Sequence, residues 1–367
     1  MKKFNLDEVK SFYKGKKVLI TGHTGFKGCW LSRWLLSIGA NVYGVSDSTE
    51  YALYKRTNLP GLVHEYWSDI GKGTDWNYEH CNPTINEIVA SVEPDIVFHL
   101  AAQPLVRESY DDPVRTYNVN VMGTIRVAIA CRDSKVKHAV FITTDKCYDN
   151  DESGIPIQET ARFGGSDPYS SSKGCCEILI ESLRRSFPEC AHYFTARAGN
   201  VLGGGDFAKD RLLPDIAAAT MSPDGEIVLR NPSSIRPWQH VLEPLYGYLL
   251  LGMQEDSYGC GVNFGPNPAE SYTSLDVLSE CNRVLQEVGR KPLTVTVQAD
   301  RYRPEAKTLL LDNTFAKESL GWVPRLSFEE TIGLTLQFYL NMSDDQSLDG
   351  LLLNDISTYE RKLKQHE

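Results

Sequence analysis

The chain has no run of eighteen apolar residues; its longest apolar stretches are strand-sized, so no transmembrane helix is expected. It has no C-x-x-C pair. Its nine cysteines, at 29, 81, 131, 147, 175, 176, 190, 260 and 281, form an odd, scattered set. Reduced thiols of a cytosolic protein fit that pattern better than a disulfide frame or a metal site. No block of Lys and Arg interrupts a chain of net charge −10, which argues against nucleic acid as a partner. An anionic ligand must therefore be met locally, by a few arginines and helix N-termini. The first eight residues lack an apolar core of signal-peptide length, and a cytoplasmic location is expected. There is no internal repeat and no low-complexity linker. What is present is 367 residues, 41% hydrophobic and 23% charged, enough to bury a core in one large or two smaller domains.

Lys17-Val-Leu-Ile-Thr21 reads as a strand, followed by Gly22-His-Thr-Gly25-Phe-Lys-Gly28 and a segment whose apolar positions 30, 31, 34, 35 and 38 have helical spacing. Glycines on a strand-to-helix turn permit a tight bend and close approach to a pyrophosphate, which then meets the helix N-terminus. The strand 41–46 ends at Asp47, where a carboxylate accepts from an adenosine ribose and repels a 2′-phosphate, so NAD is predicted over NADP. Lys27 argues mildly the other way. The strand-like 62–67 leads to Asp69-Ile70, a predicted adenine contact. Then come a helix near 84–92, a strand 95–100 ending in Ala101-Ala102-Gln103, a helix near 113–132 and the strand 139–142. A loop at 149–168, a helix from Tyr169 and a strand 192–198 complete a β-α-β alternation.

The predicted fold class is α/β, a Rossmann-type doubly wound parallel sheet with a smaller C-terminal α/β substrate-binding domain. The sheet domain is placed at 14–200, with 237–262 returning to it. The substrate-binding domain is placed at 201–236 and 263–340, and 341–367 form a polar tail, an added helix or partly loose.

The chemistry concentrates between Thr144 and Lys173. Tyr169 and Lys173, four apart on a helix, share one face, so an ammonium there is expected to lower the phenol's pKa. Just upstream, a strand end delivers Thr144, Asp145 and Lys146: a hydroxyl, an acid and a base. Cys147 reads as packing and His240 as structural. Arg211 and Arg236 suit a diphosphate, since the guanidinium fork matches phosphate oxygens; Asn200 and, more weakly, Arg303 join them.

Gly22-x-x-Gly25-x-x-Gly28 with Tyr169-x-x-x-Lys173 resembles the extended short-chain dehydrogenase/reductase superfamily. More narrowly, Gly22–Gly28, Ala101-Ala-Gln-Pro-Leu-Val-Arg107, Thr144-Asp-Lys-Cys-Tyr148, Arg197-Ala-Gly-Asn-Val201, Gly203-Gly-Gly-Asp206, Asp210-Arg-Leu212 and Ile235-Arg-Pro-Trp-Gln-His-Val-Leu-Glu-Pro244 resemble the CDP-glucose 4,6-dehydratases, over about residues 14–340. The resemblance implies oxidation of the sugar of CDP-glucose at C4 with NAD, loss of the C5 proton and C6 hydroxyl, and reduction at C6. Tyr169 is then the base for the 4-hydroxyl and Lys173 its activator. Thr144 hydrogen-bonds the same hydroxyl and the developing ketone, and Asp145 is the acid for the departing hydroxyl. Deoxythymidine-type dehydratases carry a glutamate next, as the C5 base. Here Lys146 stands instead, either as a base that must be deprotonated or as a stabiliser of the enolate.

The implied cofactor set is Gly22, Thr24, Gly25, Phe26, Lys27, Gly28, Asp47, Asp69, Ile70, Leu100, Ala101, Ala102, Gln103, Asn120 and Thr143, with Tyr169 and Lys173. The implied substrate set is Gln103, Arg107, Asn200, Arg211, Leu212, Arg236 and Arg303. C4 epimerisation of a nucleotide sugar is the competing reading; it needs no acid to expel a hydroxyl. A homodimer or homotetramer is implied, with Ile178, Leu179, Leu183, Val121, Ile125 and Ile129 as the apolar seam unless they face the parent sheet.

Overall fold

The computed structural model describes residues 1–72, 83–208, 211–222, 224–255, 261–298, 306–343 and 347–365. Among them, seven strands form one parallel sheet. Six run in chain order: β1 (Lys17–Thr21), β2 (Asn41–Ser46), β3 (His64–Trp67), β4 (Ile96–His99), β5 (His138–Ile142) and β6 (Tyr193–Ala198). The spatial order is β3-β2-β1-β4-β5-β6, and Val262–Phe264 adds the last strand beside β6. The order reverses between β1 and β4, the switch point at which doubly wound sheets open a ligand crevice.

Alternation along each strand separates two cores. Val18, Ile20, Phe98, Val140 and Phe194 face one side, where the helices Phe26–Ser37 and Leu242–Leu251 pack. Leu19, Val97, Phe141 and Tyr193 face the other, under the helices Ile85–Val92, Gly123–Asp133 and Pro168–Ser186. A third core joins Leu213, Ile216, Val277, Leu285, Ile332 and Leu336 in the C-terminal half. There Glu226–Leu229 pairs in parallel with Thr294–Val297, and Ile235–Arg236 antiparallel with Tyr272–Thr273.

Two features depart from the sequence reading, and a third settles an alternative it left open. The helix expected near 113–132 is two helices, Pro113–Tyr117 and Gly123–Asp133, joined by a π-helical turn at Asn118–Met122 and preceded by Val106–Asp111. The turn is set by tertiary contacts: Asn120 spends its side chain on Gln103, accepting from its backbone N–H (2.8 Å) and donating to its carbonyl (3.1 Å). An N-terminal helix, Leu6–Tyr13, is fixed by an Asn5/Glu8 capping box. The polar tail forms the helix Asp349–Gln365, burying Leu352, Ile356, Tyr359 and Leu363.

That last helix is bolted on through a buried carboxyl. Glu243 Oε1 accepts from the backbone N–H of Arg325 (2.7 Å) and of Leu326 (2.8 Å), and Oε2 accepts from the Tyr359 hydroxyl (2.7 Å). Burial raises Glu243 from 4.5 to about 7. The folded chain thus holds this proton more tightly than the unfolded chain, so the carboxyl's contribution to stability is present below pH 4.5 and is lost as pH rises through about 7. Denaturation of the protein and of Glu243→Gln across this window should give a free-energy difference that moves against the carboxyl by up to about 3 kcal/mol and levels off above it. A pH-independent difference would show that Glu243 does not titrate there.

Candidate active site

β1 ends at Thr21 and the chain turns sharply at Gly22, whose φ is +73°. A Cβ there would lie 2.8 Å from the backbone N of Ala101, at the end of β4. Only glycine lets these two strand ends meet at the switch point. Thr24 holds the turn to β2 through its hydroxyl, 2.6 Å from that of Ser46. Gly25 caps the helix beginning at Phe26, and Gly28 lies in its first turn. Asp47 follows β2 on the surface, with Tyr51 as its neighbour. Lys27 points elsewhere: its Nζ donates to the Tyr248 hydroxyl (3.1 Å). Burial, with the positive charges of Arg211 and Lys173, brings its ammonium down to about 7.

Leu100, Ala101 and Ala102 are half-buried after β4. Gln103 is placed as framework. Its side chain donates to the Leu105 carbonyl (3.1 Å) and the Thr116 hydroxyl (2.9 Å) and accepts from the Leu105 N–H (2.6 Å). Asn120 also donates to the Ser172 hydroxyl (2.9 Å), tying the π-helical turn to the Tyr169 helix. Ile70 packs over Gly123, and Asp69 accepts from the Gly71 N–H (2.9 Å).

Asp167 starts the Tyr169 helix. Its carboxylate accepts from the Ser170 N–H (2.9 Å), with Pro168 in the first turn. One residue past Lys173, Gly174 lets the helix backbone lie against the loop: a Cβ there would be 2.9 Å from the Gly164 carbonyl oxygen and 3.3 Å from that of Cys147. Opposite, Asp145–Cys147 form a single 3₁₀ turn capped by Thr144.

The Thr144 hydroxyl donates to Asp145 Oδ1 (2.8 Å), while Oδ2 accepts nothing among the described residues. Burial raises the Asp145 carboxyl, against the opposing pull of Lys146, Thr144 and Arg236. Burial also raises the Tyr169 phenol, with Thr144 acting in the opposite sense. The expected lowering by Lys173 is not seen: that ammonium is fully enclosed and donates to the Ile142 carbonyl (3.1 Å). Lys146 is half-buried beside Asp145. Thr143 turns the other way, its hydroxyl donating to Glu177.

Arg211 reaches the site from the C-terminal half, its guanidinium 2.9 Å from the Asp206 carboxylate. It bears on both Lys27 and Tyr169. Leu212 follows it at the start of a helix. Arg236 is buried, donating to the Ile235 (2.9 Å) and Lys307 (3.3 Å) carbonyls and acting on Asp145. Pro237 presses on Gly199, beside Asp145 Oδ2, and Asn200 follows half-buried. Arg107 is half-buried on the helix Val106–Asp111. Arg303 lies outside the described residues. Cys147 is fully buried, its thiol pushed up by burial, and His240 is a core residue packed on Trp30.

Sequence reasoning missed Tyr248, which is one of two tyrosines in an almost wholly apolar helix and carries no local signal. It also missed the buried Glu177–Arg197 pair, whose members lie on a helix and a strand twenty residues apart.

The fold and this arrangement define a dinucleotide-fold protein of the short-chain dehydrogenase/reductase class. The chain matches the GDP-mannose 4,6 dehydratase family over residues 19–335. It is 39% identical to the CDP-glucose 4,6-dehydratase of Salmonella typhimurium, over 90% of this chain and 92% of that protein. Among solved structures, an epimerase from Methanothermobacter thermautotrophicus superposes with a TM-score of 0.78 at 22% identity, covering 97% of each chain. The UDP-glucose 4-epimerase of Thermus thermophilus in complex with NAD gives 0.73 at 24%, covering 89% of this chain and 100% of its own. The two structures establish the fold. The chain belongs to the nucleotide-sugar 4,6-dehydratase family.

Gly22→Ala tests the switch-point contact. It should cost on the order of 1–3 kcal/mol of stability, since both φ and the Ala101 backbone resist a Cβ. Unchanged chemical denaturation would refute the tight approach.

Proposed function

We propose that the chain is an NAD-dependent CDP-glucose 4,6-dehydratase, which converts CDP-glucose to CDP-4-keto-6-deoxyglucose and water. The observation that carries this reading is Asp145. It is a carboxyl removed from water, biased toward its protonated form by burial, and hydrogen-bonded to the same threonine that faces the tyrosine. A site that only oxidises and re-reduces C4 has no use for such an acid, which disfavours epimerisation. The 39% identity to the Salmonella enzyme supports the cytidine nucleotide.

NAD fits the chain. The cradle at Gly22 would be filled by a Cβ, Gly25 and Phe26 open a helix N-terminus over it, and Asp47 ends β2 where a ribose acceptor belongs. NAD supplies reversible two-electron oxidation at C4 and the matching reduction at C6. The rest is done by side chains. Tyr169 removes the C4 hydroxyl proton, with Thr144 bonded to the same oxygen. Lys173 provides positive charge beneath them. The ketone acidifies C5–H, Lys146 acts at C5 as base or as counter-charge to the enolate, and Asp145 protonates the leaving C6 hydroxyl. Arg211 and Arg236 serve the diphosphate, and Arg236 also bears on Asp145.

The protein acts in the cytoplasm as a homodimer or homotetramer. No helix among the described residues is long and apolar enough to cross a membrane. Tyr117, Met122 and Ile178 are exposed on the Tyr169 helix and the segment before it, an apolar stripe that a second copy would cover. Of the seam residues, Leu183 is buried against the parent core, and Leu179, Ile125 and Ile129 pack on it.

Incubation with CDP-glucose should give a product lighter by one water in mass spectrometry; an unchanged mass would overturn the dehydratase reading. Asp145→Asn should lower kcat by about 10²–10⁴-fold, and Tyr169→Phe should abolish turnover. Ile178→Asp should shift sedimentation toward the monomer, and an unaltered profile would remove this stripe as the seam.

A further inference from the structure

One turn beyond Lys173, on the same face of its helix, lies Glu177, and it is buried. Its carboxylate is saturated. The Thr143 hydroxyl donates to Oε1, and the Thr195 hydroxyl (2.6 Å) and Arg197 Nη2 (2.7 Å) donate to Oε2. Arg197 is equally buried. Its Nη1 donates to the Tyr148 hydroxyl (2.6 Å), which donates onward to Asn263 Oδ1 (2.7 Å). The guanidinium lies 5.1 Å from the Tyr148 ring and 4.9 Å from the Phe163 ring, beside the stacked pair.

The two partners have a shared geometry. Thr143 immediately precedes Thr144, and Tyr148 closes the 3₁₀ turn that carries Asp145 and Lys146. The ion pair therefore grips the turn at both ends, at Thr143 from the helix that carries Tyr169 and Lys173 and at Tyr148 from β6. Stability alone is a poor reason for such a pair, because apolar residues of similar volume often serve a core as well or better. Directional bonds on both sides of a four-residue segment instead specify where that segment lies.

We infer that Glu177 and Arg197 are positioning residues, which hold the Thr144–Asp145–Lys146 turn in register with Tyr169 and Lys173 for the elimination step. The inference rests on the reading of those five side chains given above. Glu177 contributes in a second way. Burial works against the Lys173 ammonium, and Glu177 acts in the opposite sense. A displacement of about 1 Å between reacting groups is enough to slow chemistry 10²-fold without touching the groups that bind substrate.

The test measures kcat and KM for CDP-glucose, with NAD saturating, for Glu177→Gln, Tyr148→Phe, the double variant and Tyr169→Phe. Glu177→Gln should lose about 10- to 100-fold in kcat with KM within about threefold. Tyr148→Phe, which keeps the ion pair and removes one hydroxyl, should lose about three- to tenfold in the same way. The double variant should fall short of the product of the two losses, because both act through one chain of bonds. Folded Glu177→Gln or Tyr148→Phe with kcat within twofold of the unaltered enzyme overturns the proposal, as does a loss confined to thermal stability. Should Glu177→Gln fail to fold, Tyr148→Phe decides by the same criterion. An inactive Tyr169→Phe beside normal Tyr148→Phe and Glu177→Gln defeats only the positioning role; full turnover by Tyr169→Phe defeats the site assignment and this proposal together.

Discussion

Every strand of the central sheet runs the same way, and that single constraint decides where chemistry can occur. The chain leaves β1 at Thr21, β4 at His99, β5 at Ile142 and β6 at Ala198, all along one edge. The glycine turn, the small residues after β4, the Thr144 turn and the Gly199-Asn200 segment are thus neighbours although up to 180 residues separate them. At the switch point, β1 has β2 on one side and β4 on the other, so their connections depart to opposite faces and leave a gap between them. Gly22 against Ala101 floors that gap.

On that edge the dominant physical effect is dehydration. Asp145, Tyr169 and Lys173 are all shifted by burial first, each toward its neutral form. Neighbouring charges are secondary: Lys146 and Arg236 oppose the shift of Asp145, Asp145 adds to that of Tyr169 while Arg211 opposes it, and Cys176 and Glu177 oppose that of Lys173. A neutral carboxyl is what a departing hydroxyl requires. A neutral phenol is not yet a base, and it must gain its driving force from positive charge brought near it. The same burial thus readies one residue and restrains the other, which suits a reaction whose two proton transfers run in opposite directions.

Much of this was legible because it is local. The six strands β1–β6 fall where apolar runs stood between turn residues, and the glycine turn and the Tyr169/Lys173 spacing are short-range facts. What the chain concealed is tertiary. The π-helical turn at 118–122 follows from Asn120 bonding to Gln103, a pairing with no local pattern. The direction of the Tyr169 shift was misread because spacing shows a lysine's proximity but not how much water is removed, nor that its ammonium is engaged by the Ile142 carbonyl. Gln103 bonds through its side chain to Leu105 and Thr116, pairings that the sequence pattern does not signal. The C-terminal helix did leave a trace, since apolar positions 352, 356, 359 and 363 have helical spacing within a polar tail.

The charge distribution supplies the last step. The chain carries a net charge of −10, yet Lys173 and Arg211 both bear on the buried Lys27 ammonium. That ammonium is depressed first by burial and then by both neighbours, with Asp145 acting in the opposite sense. Asp206 offsets one of the three, through its ion pair with Arg211. A fold does not gather cations out of water for its own stability, since each loses hydration and gains repulsion. The arrangement becomes favourable when a multiply charged anion lies among them. A dinucleotide pyrophosphate and a sugar-nucleotide diphosphate are two such anions. The acidic remainder of the surface leaves this edge as the place where they are attracted rather than repelled.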